Sequence, residues 1–308
     1  MGAYLLRRLL QAPLVLLVLA SLSFVIVHLA PGGPFAGERA MDPEVQHALE
    51  ARYHLDESIP RQYLHFLWSL AHADFGPSIS TYKGQSVNSV IMRALPTSLL
   101  LGALGLLLAL LFGVGAGVVA ALKPHSARDG ITMVMALTVI SLPTFVIGPL
   151  LALVFGLWLH WLPIAGYHGF LEPAYLVLPA LALSGPFAGR IARLTRAGLL
   201  DVLSQDFIRT ARAKGAGEYR IAFRHALALG FAPVVSYLGP ASAAILTGSL
   251  VIEQVFQIPG LGREFVLSAF NRDFTLVMGT VIVYGVILVA CNLAADLALA
   301  LLDPRTRL

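Results

Sequence analysis

Six apolar runs set the limits on what this chain can fold into: Leu9–Leu29, Thr97–Leu122, Ile131–Leu159, Ala174–Gly189, Ala226–Ile252 and Thr275–Leu302. Most reach the ~20 residues that a helix needs to cross ~30 Å of hydrocarbon. The fourth is short, and is expected to continue as helix through Arg190 and Arg193. None shows the two-residue alternation of barrel strands, and in lipid each backbone amide must be bonded within its own segment, so helices are the expected solution. Charged residues make up 12% of the 308, about half the share in a soluble domain. The predicted class is therefore all-α, a polytopic membrane protein with six transmembrane helices. The single Cys291 excludes an intrachain disulfide or a multi-cysteine metal site. Arg7 and Arg8 precede an apolar run too long for the core of a cleaved signal, which predicts a retained span.

Lysine and arginine give an orientation. With the N-terminus inside, 14 of the 21 basic residues fall on inner segments, while 11 of the 17 acids fall outside. That distribution follows the positive-inside rule and places both termini in the cytoplasm. It also accounts for the basic pI without nucleic acid as a partner. Within the six runs Asp296 is read as the one acidic or basic group, near the inner end of the last. A carrier driven by ions would bury several such groups at mid-membrane, so Asp296 reads as a packing or interfacial acid. Trp158, His160, Trp161 and Tyr167 suit an interfacial aromatic belt, and His160 has no partner at ligand spacing. Gly113 and Gly117 form a GxxxG pair, which in lipid means close helix packing. Pro143 and Pro149 predict a kink in the third run, a bend along a pathway being the alternative.

Two polar stretches stand out. Pro31–Pro96 carries turns and an amphipathic helix around Gln62–Ala71, with Tyr63, Phe66, Leu67 and Leu70 on one face. Asp206–Pro233 reads as helix, stop, helix. Asp206 is the expected N-cap, Arg209, Arg212 and Lys214 approach the C-terminus, and Gly215 is the expected left-handed stop. A second helix is expected from Glu218 to His225. Further on, Pro259-Gly260-Leu261-Gly262 predicts a turn with torsions open only to glycine.

Arg209-Thr210-Ala211-Arg212-Ala213-Lys214-Gly215, with Pro233 heading the next run, resembles the "EAA" loop of binding-protein-dependent ABC importer permeases. The variant is similar to the oligopeptide/dipeptide B-subunit branch. Ala73-Asp74-Phe75-Gly76, Glu253–Gly262, Asn271-Arg272-Asp273-Phe274 and the closing Asp303-Pro304-Arg305 extend the resemblance over nearly the whole chain. Ala228–Ala232 departs from it, since relatives carry a basic or amide residue there. The resemblance implies a type I (MetI-like) importer fold. Residues 1–93 would hold the first span and an external segment. Residues 94–302 would form the permease core, with its coupling loop at about 204–225, and 303–308 a cytoplasmic tail. It also implies an ATPase-docking site at Arg209, Thr210, Ala211, Arg212, Ala213, Lys214, Gly215, Ala216, Gly217 and Glu218. Glu253, Pro259, Gly260 and Gly262 would lie at the outer mouth.

The implied partners are a second homologous permease subunit, two cytosolic ATPase subunits, an extracytoplasmic peptide-binding protein, the peptide itself and membrane lipid. The implied location is the bacterial inner membrane. The chain has no G-x-x-x-x-G-K-[ST] phosphate loop, so ATP and magnesium are expected on the ATPase chains and no cofactor or catalytic residue on this one. It also lacks HExxH and GxSxG. Nickel or glutathione as cargo remains open, and an ion-coupled secondary transporter is the reading from a different class.

Overall fold

The computed structural model describes residues 2–29, 51, 55–168 and 172–302, the side chains of residues 2–9 and 302 excepted. The 31–39 turn motif, Tyr53-His54 and the terminal Asp303-Pro304-Arg305 lie outside these residues. Among those described the fold is helical, with a lone bridge between Pro77 and Ser86. Five helical stretches are long and apolar enough to cross a membrane, at residues 10–29, 87–122, 174–203, 232–255 and 274–301. A bent pair from the third run brings the number to six if it is counted as one span.

The chain divides into two compact units. The first comprises Leu99–Ile258 with Met1–Leu5 and Ile287–Leu308. It holds most of a long helix, α3 (Val87–Leu122), then α4 (Ala127–Ser141) and α5 (Thr144–Leu151), which continues as π-helix to Trp158. The axes of α4 and α5 meet at 105°. Proline is the cause: Pro143 has no N–H and drives Leu142 to extended torsions (φ −77°, ψ 126°). The expected kink is thus a complete break. Next comes α6 (Ala174–Leu203), which runs through Arg190 and Arg193 as expected.

A core of Leu101, Leu178, Leu183, Ile245, Ile252 and Phe256 surrounds α6. Gly113 and Gly117 bring α3 onto it: a Cβ at Gly113 would lie 2.7 Å from the Ala188 carbonyl oxygen, and one at Gly117 2.5 Å from Thr195 Cβ. Arg196 on α6 also clamps α4, donating from Nε and Nη2 to the two Asp129 oxygens at 2.6 Å each. Both residues lie just outside the apolar runs, Asp129 ahead of Ile131 and Arg196 beyond Gly189. The helices outlast the apolar runs, and so carry charges the runs exclude.

The second unit comprises Leu6–Ser98 and Pro259–Val286. It includes most of α1 (Gly2–Leu29) and α2 (Ile59–Ala71), whose Tyr63 and Phe66 pack with Phe24 and Met278. The amphipathic reading of α2 holds, with its start at Ile59 because Pro60 suits a first turn.

Candidate functional site

The elbow begins where α6 ends. Gln205, with extended torsions (φ −77°, ψ 153°), is the N-cap of α7 (Asp206–Ala213). Asp206 is therefore the first helical residue and not the cap. Its carboxylate lies beside the helix N-terminus, where negative charge is favoured, and accepts from Arg209 Nη1 at 3.3 Å. Ile208 is fully buried, and Ala211 packs with it against Val118, Leu199 and Val202.

The stop has the geometry its sequence predicts. Gly215 takes φ +81°. Its N–H donates to the Arg212 carbonyl at 2.9 Å, and the Ala216 N–H reaches back to Ala211 at 3.2 Å. This pair of bonds is the Schellman arrangement, and its apolar contact is present because Ala211 and Ala216 pack on the same core. Gly217 then caps α8 (Glu218–Arg220), which continues as π-helix over Ile221–Ala226 and as α9 over Leu227–Gly230. Ile221, Ala222 and Ala226 are fully buried in the cluster that holds Ile208, so both arms of the elbow rest on one core.

A fork-to-fork ion pair spans the turn: Arg212 Nε and Nη2 donate to Glu218 Oε1 and Oε2 at 2.7 and 3.1 Å. The guanidinium hydrogen bonds hold the Glu218 carboxyl below the usual carboxylate range. Both side chains are more than two-fifths exposed, so the pair fixes geometry more than it adds stability. Thr210 Oγ1 donates to the Asp206 carbonyl, and Arg209, Ala213, Lys214 and Gly217 are exposed. All ten predicted elbow residues are thus contiguous in space as well as in sequence. Sequence reasoning missed the glycine crossing behind them: a Cβ at Gly198 of α6 would lie 2.0 Å from the Gly230 carbonyl oxygen.

The other predicted residues fall into different units. Glu253, in the first, lies in α11 (Leu250–Val255), which follows α10 (Ala232–Leu246), and is fully buried. Pro259, Gly260 and Gly262 belong to the second, where Pro259 is exposed and α12 (Leu261–Phe270) starts. Neither glycine has the left-handed torsions expected. Gly260 is an extended N-cap (φ −108°, ψ 171°), and the left-handed residue is Gln257 (φ +55°). It closes α11 with the bond from the Ile258 N–H to the Glu253 carbonyl at 2.7 Å. Burial of Phe256 and Ile258 fixes that stop ahead of the glycines.

Within the second unit two motifs read separately in the sequence meet. Asp273, fully buried, precedes α13 (Phe274–Leu302). Its Oδ1 accepts from the Ile79 and Leu276 amides, both at 3.2 Å, and from Thr275 Oγ1 at 3.1 Å. Its Oδ2 accepts from Ser78 Oγ and from the amides of Ser80 and Thr81, at 3.3 and 2.8 Å. Six donors thus fix the Ser78–Thr81 loop to the head of α13. Tyr82 Oη donates to the Glu264 carboxylate nearby, and burial, with Glu264 adding to it, pushes the phenol up. Among the described residues no cluster of three His, Cys, Asp or Glu side chains could hold a metal.

Residues 113–308 match the family described as binding-protein-dependent transport system inner membrane component, and residues 1–102 match its N-terminal companion. The chain is 46% identical over 304 residues to the oligopeptide transport system permease protein OppB of Salmonella typhimurium, covering 99% of each. It is 42% identical over 309 residues to the dipeptide transport system permease protein DppB of Bacillus subtilis, covering 100% of this chain and 99% of the relative. It is also 38% identical over 317 residues to the oligopeptide transport system permease protein AppB of Bacillus subtilis.

Proposed function

Because this chain belongs to the binding-protein-dependent transport system inner membrane components, we propose that it is the membrane-spanning permease subunit of an ATP-driven importer of oligopeptides or dipeptides. Its companions are a second, homologous permease subunit, two cytosolic ATPase subunits and an extracytoplasmic peptide-binding protein. The ATPases, with their ATP and magnesium, dock at the elbow from Arg209 to Glu218, and both termini face the cytoplasm with them. Glu253, Pro259, Gly260 and Gly262 lie toward the outer mouth. Peptide cargo is brought to this chain by the full-length likeness to oligopeptide and dipeptide permeases.

One observation carries the docking assignment. The elbow is stiff at every joint: a Schellman stop at Gly215, a two-point ion pair across the turn, and both arms seated on one core. A stiff element passes displacement onward, whereas a loose loop absorbs it. In the transport cycle, closure of the ATPase pair displaces the elbow and the helices attached to it. Nucleotide drives the change by binding one of the two states more tightly.

The test is a pair of substitutions at Gly215. Asparagine tolerates left-handed torsions, and a Cβ there meets nothing within 4 Å, so Gly215→Asn retains peptide uptake. Valine at φ +81° is a backbone outlier, so Gly215→Val inserts normally but loses peptide-stimulated ATP turnover in proteoliposomes. Equal turnover by the two variants refutes the docking role.

A further inference from the structure

The elbow has two electrically different faces. On one, each cation is met by an acid of the elbow itself: Arg209 by Asp206 at 3.3 Å and Arg212 by Glu218 at 2.7 Å. On the other, Lys214, Arg220 and Arg224 are exposed and make no ion pair among the described residues. All three border a single cleft of about 420 Å³, with Phe207 and His225 also on its wall. Lys214 comes from the end of α7, Arg220 from α8 and Arg224 from the π-helix beyond it, so both arms contribute.

We propose that this cleft is the charge-reading part of the docking surface, and that the ATPase inserts a cluster of carboxylate side chains into it. The proposal rests on the docking assignment above and adds the chemistry of the partner. Three cations around one cleft call for more than one negative charge at fixed spacing, which an acidic protein surface supplies. The half-exposed Phe207 offers that surface an apolar contact. The first position of the docking motif, Arg209, by contrast already has an acid, Asp206, beside it in its own helix.

Lys214 permits a direct test, being the elbow's single lysine and one of three in the chain. A carbodiimide activates a carboxyl group, which a lysine amine in contact attacks to form an amide with loss of the urea. The assembled importer, purified from its own membranes through a tag on this chain, is treated with the carbodiimide. A parallel sample carries a photo-crosslinking residue at Tyr219, which is 70% exposed. The expected result is an amide joining Lys214 to an Asp or Glu of the ATPase. Lys214→Arg abolishes that product. Lys214→Glu combined with Arg224→Glu lowers ATPase retention at least tenfold.

A Tyr219 product with the ATPase but none at Lys214 overturns the cleft proposal and leaves the docking assignment standing. So does retention of the ATPase by the double reversal with loss of binding to phosphatidylglycerol vesicles, which gives the cleft to lipid headgroups. Absence of any Tyr219 product with the ATPase overturns both.

Discussion

Substituting alanine for Gly198 tests how closely the elbow is seated. The methyl carbon would sit 2.0 Å from the Gly230 carbonyl oxygen and 3.0 Å from its carbon. An ordinary C···O approach is ~3.3 Å, so the two backbones must part by roughly 1.3 Å. No rotamer change relieves the overlap, because both groups are main chain. Overpacking of this kind costs about 1–3 kcal/mol. For a chain of this size that lowers the unfolding midpoint by roughly 1.5–5 °C. The reciprocal change, Gly230→Ala, brings its methyl to 2.7 Å from the Gly198 oxygen and needs roughly half the displacement. Gly115→Ala, where nothing lies within 4 Å, is the control and should be neutral or slightly stabilising. Thermal unfolding of the purified complex, with ATP turnover at a permissive temperature, should rank the three Gly198→Ala, Gly230→Ala, Gly115→Ala from most to least damaged. A Gly198→Ala protein as stable and as active as Gly115→Ala refutes the crossing geometry.

Asp273→Asn keeps the shape of the side chain but turns its NH2 toward three donors whichever way it lies. A loss of about 3 kcal/mol or more is expected, read as a lowered unfolding midpoint and faster proteolysis at Ser78–Thr81. Because Arg212 depresses the Glu218 carboxyl, its contribution is present above the ordinary carboxylate range and is lost as pH falls below that range. Amide protection across Arg212–Glu218 should therefore hold from neutral to weakly acidic pH and drop only below it. In Glu218→Gln it should be lower and lack that drop. Arg272 sits at φ +56° at the end of α12, so Arg272→Gly should raise the unfolding midpoint by relieving about 1 kcal/mol of strain. A lowered midpoint would show that the arginine side chain contributes more than its torsion costs.

The elbow was legible because its punctuation is local. Gly215 stops a helix by its own torsions, and Ala211 and Ala216 supply the apolar contact within five residues. The cap was misplaced by one because Asp206 suits the first turn of a helix as well as the position before it. Where burial decides, local signals mislead. Gln257 takes the left-handed position two residues ahead of Pro259, since Phe256 and Ile258 must both be buried. The Asp273 cradle was invisible for a different reason: Ser78 and Asp273 are 195 residues apart, and no spacing rule connects them. Likewise Asp129 and Arg196 lie 67 residues apart, beyond the reach of any spacing rule.

The corner between α4 and α5 bears on how this chain can exist in lipid. Each limb, Ala127–Ser141 and Thr144–Trp158, has 15 residues and so reaches only about 22 Å, short of a bilayer's oily interior. At the bend the hydrogen-bond ladder is interrupted, and Ser141, Leu142 and Pro143 are open to the surroundings. Acyl chains cannot solvate the peptide dipoles freed there. A corner placed in hydrocarbon would leave them unsatisfied, so in lipid it has to lie at a depth, or against a surface, that supplies them with partners.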